Sequence, residues 1–259
     1  MTACTIFYSQ IRSVQHVFKA LYFPAAAVEP AQFAPSPESK LLWPRVIQFV
    51  ISLAVYRRLS QCFGDVHSMP APPELRDIVK LELLEKEPEQ RIEEIWLDQY
   101  RFDPRYISRA LNRNQHQTIS KRFEESPMFV WPIKHEESGK YFVLLSQYQH
   151  KHIFFTSIDS YNNNPENAPT YFSMTFYDDL ITQQRDIALV RGEVIEAIRL
   201  RIETARELMD DLLERYQDDT KYKDHIQKFN INPQGFDIEA YLDTFDFVKE
   251  ANVNAANAV

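Results

Sequence analysis

Between residues 128 and 192 the apolar side chains of this sequence change their spacing, and that change constrains the fold more than any other feature. On either side they recur every three to four residues, as one face of a helix requires. Within it they alternate with polar residues or form short unbroken runs, the pattern of half-buried and fully buried strands. Met128 to Ile133, Tyr141 to Tyr148, His152 to Ile158, Tyr171 to Tyr177 and Ile187 to Arg191 give about five short strands. The connections are short, and Gln149, His150 and Lys151 read as a hairpin turn, so the sheet is expected to be antiparallel. Pro132 lacks an N–H and marks an edge or a strand end. The fold class expected is α+β: an antiparallel sheet packed with helices from before and after it.

The flanking segments supply the helices. Leu75, Ile78, Val79, Leu81, Leu83 and Leu84 keep a helical period after Pro72 and Pro73. Pro88 to Tyr100 continues it, with Glu89, Glu93 and Glu94 early, where the helix dipole favours acids. A third, largely polar helix is expected after Pro104, through Ile107, Leu111 and Ile119 to Phe123. After Gly192, the residues Val194, Ile198, Ile202, Ala205, Met209, Leu212 and Tyr216 mark one face of a long helix that should cover the sheet. A last helix over about Asp237 to Lys249 follows the Asn232-Pro233 turn, and Ala251 to Val259 reads as a disordered tail. The boundaries expected are a leader over 1–40, an apolar-basic segment over 41–70, the α+β domain over 71–250 and the tail over 251–259.

The N-terminal third differs in charge. Residues 1–70 hold six Lys/Arg against three acids, a charge of +3, which leaves −11 for residues 71–259 within the total of −8. The first 28 residues contain no acid, and Ile6, Phe7, Ile11, Val14, Val17, Phe18 and Leu21 recur at helical spacing around Arg12 and Lys19. That is the pattern of a mitochondrial transit peptide. Val46 to Tyr56 is apolar without a charge but only 11 residues long, against the roughly 20 that span a bilayer. A transmembrane helix is excluded there. Whether residues 41–58, ending in Arg57 and Arg58, rest on a membrane surface or on a partner is left open.

Composition narrows the chemistry. Four glycines, Gly64, Gly139, Gly192 and Gly235, stand in 259 residues, where average usage of about 7% would give about 18. Glycine-rich phosphate loops and dinucleotide turns place several glycines close together, and none of these four are near neighbours. The acidic body argues against nucleic acid, since binding phosphates needs a basic surface. Cys4 and Cys62 form neither a disulfide framework nor a zinc motif. His150 with His152 is a thin start for a metal site. Asp178–Asp179 and Asp210–Asp211 read as solvated acids rather than a carboxylate pair, and Cys62 with His67 is a weak nucleophile–base pair. No catalytic, cofactor-binding or metal-binding residue is assigned, and a non-enzymatic protein is expected.

A set of short motifs occurs in fixed order. Glu93-Glu94-Ile95-Trp96, Phe129-Val130-Trp131-Pro132, Tyr141-Phe142-Val143-Leu144-Leu145 with Gln147-Tyr148-Gln149, and Glu166-Asn167-Ala168-Pro169 are followed by Phe176-Tyr177-Asp178-Asp179-Leu180, Arg191-Gly192-Glu193, and Phe229-Asn230 with Pro233 and Phe236. Together, from about Leu75 to Phe245, they resemble the mitochondrial F(1)-ATPase assembly chaperone family that handles the ATP synthase beta subunit. Arg185-Asp186 and Val190 depart from the family pattern, so the resemblance is to a divergent member.

The resemblance implies a mitochondrial matrix protein that binds unassembled beta subunit and shields its sticky interface until the alpha subunit replaces it. A permanent accessory subunit of the ATP synthase is the alternative. Shielding needs an apolar or aromatic surface with an acidic rim that limits the protein's own aggregation. Tyr141, Tyr148, Tyr171, Phe176 and Tyr177 could supply the aromatic part. Arg191 and Glu193 fall on a family motif and serve either as a structural ion pair or as client contacts. The expected partner-binding residues are Tyr141, Tyr148, Phe176, Tyr177, Arg191 and Glu193, with Gly192 as a hinge between strand and helix.

Overall fold

The computed structural model describes residues 72–135, 140–164 and 168–257. The leader, the 41–58 segment, Cys62, His67 and Gly139 lie outside them. Two short helices, α1 (Leu75–Ile78) and α2 (Leu81–Leu84), lead into α3 (Glu89–Gln99). Strand β1 (Tyr106–Leu111) and helix α4 (Arg113–Glu125) follow. Next come β2 (Met128–Lys134), β3 (Tyr141–Gln149), β4 (His152–Ser157), α5 (Ile158–Asn163), β5 (Thr170–Tyr177), α6 (Asp179–Thr182) and β6 (Ala188–Val194). Helix α7 (Ile202–Gln217) leads into α8 (Asp219–Lys221), a π-helical turn over Tyr222–Gln227 and α9 (Lys228–Ile231). Helices α10 (Ile238–Leu242) and α11 (Asp246–Asn257) end the described chain.

The strands form one antiparallel sheet in the order β1-β6-β5-β4-β3-β2. The fold is α+β, with six strands rather than about five. The added strand is β1, which the sequence reading placed in a helix. Ile107 and Leu111 lie four apart, a spacing helices use, but here both side chains enter the core from the strand's first and last turns of the pleat. The helix begins one residue later, where Asn112 and Gln115 make a capping box: each side chain bonds the other's backbone N–H. Helix α4 is also less solvated than its composition suggested, since His116, Ile119 and Phe123 are buried.

Hairpin β3–β4 closes through His150 and Lys151, both with positive φ (45° and 69°). A two-residue loop with both residues left-handed matches the twist of the flanking strands. The edge position of Pro132 also holds, because β2 ends the sheet. That edge is capped by side chains. The Asn230 amide accepts from Met128 N–H at 3.3 Å and donates to its carbonyl at 2.6 Å, and the Tyr241 hydroxyl donates to the Val130 carbonyl at 3.0 Å.

Two cores sandwich the sheet. On its main face Ile107, Val190, Phe172, Met174, Phe176, Ile153, Phe155, Phe129 and Trp131 pack with α4, α7 and the residues around Phe229 and Tyr241. On the second face Leu189 and Tyr177 pack with Leu75, Leu84, Ile92 and Trp96 of α1–α3.

Three further expectations need correction. Gly192 is not a hinge but lies inside β6, where a Cβ would stand 2.6 Å from Cζ of Phe172. The long helix begins at Ile202, not after Gly192, so Val194 belongs to the strand and Ile198 to the connection, 97% exposed. The last helix is two helices, α10 and α11, and the second continues to Asn257, through most of the stretch read as a tail.

Candidate partner-binding surface

The cross-strand register places residues directly opposite one another on the same face. Beside the patch that α1–α3 cover, two rows of the second face run across the strands. One is Ser108, Arg191, Thr175, His152 and Gln149; the next is Tyr106, Glu193, Ser173, Phe154 and Gln147. Both rows are rich in hydroxyls and amides, and Tyr106, Glu193, Ser173, Phe154, His152 and Gln149 are only partly buried.

Arg191 is the centre of this face. Its side chain is 8% exposed, and the nearest carboxylate, Glu193, stands 3.9 Å from Nη2. That exceeds hydrogen-bond length. Nε of Arg191 has no hydrogen-bond partner. The guanidinium sits 5.3 Å from the Tyr106 ring, whose centroid is also 5.1 Å from the guanidinium of Arg105. The Tyr106 hydroxyl donates to Glu193 at 3.4 Å.

The charge of Arg191 is felt across the rows. Burial, with help from His150, Arg191 and Lys151, pulls His152 down to about 4. Burial pushes Tyr177 up to about 12 and raises Tyr100, with Arg191 opposing both. His152 Nδ1 lies 3.2 Å from Thr175 Oγ1. Alongside, a cleft of about 350 Å³ is bordered by Pro73, Lys151, His152, Thr175, Tyr177 and Asp179.

One end of the sheet is apolar and exposed. Val194 N–H donates to the Arg105 carbonyl, and the N–H groups of Ile195 and Glu196 both donate to Tyr171. These bonds bring the α3–β1 and β6–α7 connections together where β1 starts and β6 stops. The connections carry Phe102, 89% exposed, Ile195, 44%, and Ile198, 97%. Two ion pairs flank them, Arg101 with Asp98 and Arg105 with Asp103, and Arg199 donates to the Tyr171 hydroxyl at 2.8 Å.

The six residues expected from sequence are not gathered into one surface. Arg191 and Glu193 share the second face, and Tyr177 lies one row from Arg191 and two from Glu193 but is buried against Trp96, ring centroids 5.9 Å apart. Tyr148 is half-buried on the main face, stacked on Phe123 at 4.9 Å, and Phe176 is buried at 5.4 Å from the same ring. Tyr141 and Tyr171 also pack on the main core, Tyr171 fully buried. Sequence reasoning missed Phe102, Ile195 and Ile198. The readable signal was a bulky apolar residue among charges, Arg101-Phe102-Asp103, with no periodic partner.

The acid pairs are dispersed among surface bridges: Asp178 with Lys151, Asp210 with Arg109 and Asp211 with Arg215. Among the described residues no group of three metal-ligating side chains occurs, and no helix is long and apolar enough to cross a membrane.

The α+β scaffold thus carries hydroxyls around the unpaired Nε of Arg191 on its second face and the exposed Phe102, Ile195 and Ile198 at one end of the sheet; Nε of Arg185 is unpaired as well. The chain belongs to the family described as ATP11 protein, which matches residues 52–242. Over 120 residues it is 28% identical to the ATP synthase mitochondrial F1 complex assembly factor 1 of Danio rerio, a stretch that takes in 46% of this chain and 38% of that relative.

Proposed function

We propose that this protein is a non-enzymatic assembly factor for the F1 part of mitochondrial ATP synthase. It binds the unassembled beta subunit in the matrix and prevents its aggregation until the alpha subunit takes its place. Membership of the ATP11 protein family carries this reading, and the relative named as an F1 complex assembly factor supports it. The physical counterpart is the exposed end of the sheet. Phe102, Ile195 and Ile198 present apolar surface that a monomer gains nothing by exposing. The paired charges around them keep that surface soluble and give a polar rim of the kind interfaces have.

The test is direct. Purified beta subunit is diluted from denaturant with and without an equimolar amount of this protein, and light scattering is followed. Suppressed aggregation and recovery of a one-to-one complex are expected. Unchanged scattering with no complex refutes the reading. A second measurement distinguishes transient factor from permanent subunit: intact ATP synthase containing this protein in fixed ratio would make it a resident component.

A further inference from the structure

We infer that Arg191 receives an acidic side chain of the bound client. The inference rests on the assembly-factor reading and names the chemistry of one of its contacts. A charged donor buried without an acceptor is costly, and native structures keep such a group rarely. Nε of Arg191 is such a donor, while the guanidinium also hydrogen-bonds the Tyr100 side chain. The Arg191 side chain is 8% exposed, and Glu193 stays 3.9 Å from Nη2. Nε and one terminal nitrogen form the edge of a guanidinium that takes a carboxylate through two parallel hydrogen bonds. In the free protein Nε on that edge is unpaired. Glu193, 38% exposed and held by the Tyr106 hydroxyl, is a distant companion rather than a bound partner.

The surroundings select the occupant. The positive charge reaches His152, whose protonation Arg191 opposes. Glu193 disfavours a doubly charged anion at the same place and tolerates a singly charged carboxylate. Ser108, Thr175 and Ser173 offer hydroxyls within the same two rows. The roof over the guanidinium is the Tyr106 ring, a partly buried side chain at the edge strand. A client carboxylate enters as that ring turns aside. The neighbouring Phe102 and Ile195 then bury apolar surface in the same contact.

Binding to purified beta subunit, followed by biolayer interferometry beside thermal unfolding, tests this. Arg191→Met keeps the shape and removes the unsatisfied charge. It should leave the melting temperature unchanged or raised while weakening beta-subunit binding at least tenfold. Arg191→Lys, which keeps the charge but loses the fork, should weaken binding at least threefold. Glu193→Gln, which removes the competing carboxylate, should tighten it. A lowered melting temperature for Arg191→Met with unchanged affinity in all three variants would overturn the inference and make Arg191–Glu193 a structural pair. Failure of the wild-type protein to bind beta subunit would instead defeat the assembly-factor reading.

Discussion

Replacing Gly192 with alanine tests the packing logic of the sheet. The new methyl would lie 2.6 Å and 2.8 Å from Cζ and Cε2 of Phe172, and 3.3 Å from Sδ of Met209. Carbon atoms rest at about 3.5–4.0 Å, so the Phe172 ring must retreat by about 1 Å. It has no free space: Phe172 is 0% exposed and its ring lies 5.2 Å from that of Phe155. Overpacking of this kind costs about 1–3 kcal/mol, and removing a strand glycine returns about 0.5–1 kcal/mol. A net loss of roughly 1 kcal/mol, and at most about 2.5 kcal/mol, follows, or a fall of roughly 2–4 °C and at most about 10 °C in Tm for a domain of this size. Thermal and urea unfolding followed by far-ultraviolet circular dichroism measure it. Phe172→Leu should rescue part of the loss, because it vacates the space the methyl needs. A Gly192→Ala protein as stable as wild type, or costs that simply add in the double variant, would refute the reasoning.

Other consequences are equally checkable. Tyr241→Phe leaves the buried Val130 carbonyl without its donor and should cost about 1–3 kcal/mol in urea unfolding. Phe102→Ser with Ile198→Ser should leave stability within about 0.5 kcal/mol, as exposed substitutions do, while raising residual aggregation of beta subunit in the scattering assay. Burial holds His116, His152 and His225 below their ordinary value of 6.5. The unfolded chain therefore takes up protons first as pH falls, and stability should decline from about pH 6.5 downward, continuing to about 4 for His152. His152→Gln should flatten that decline in melting temperature; an unaltered slope would show that His152 does not contribute.

The strands were legible because their signals are local. Hairpin β3–β4 needs only two residues of left-handed backbone, and β2 announces its edge through Pro132. β1 was hidden because a six-residue segment with Ile107 and Leu111 satisfies either period, and its partner β6 lies some eighty residues away. The Asn112–Gln115 box marked the true helix start, but tertiary pairing decided what preceded it. Ile198 misled for a related reason: it continues the period of Ile202 and Ala205, yet the chain turns between Glu196 and Leu200 before the helix begins. Of the partner-binding residues, Arg191 and Glu193 could be placed together because they are two apart on a strand. The aromatics could not, since alternation sends Phe176 and Tyr177 to opposite faces and gives no sign of which face is covered.

The side-chain cap on β2 gives the sheet a direction. Fibre growth by strand addition requires each unit to present two open edges, one to receive and one to hand on. Here Asn230 occupies Met128 as a neighbouring strand would, Tyr241 takes the Val130 carbonyl, and Pro132 offers no donor. A molecule of this kind that met a growing β-aggregate could join it at most through β1, and the aggregate would stop there. The β2 edge is closed to strand addition.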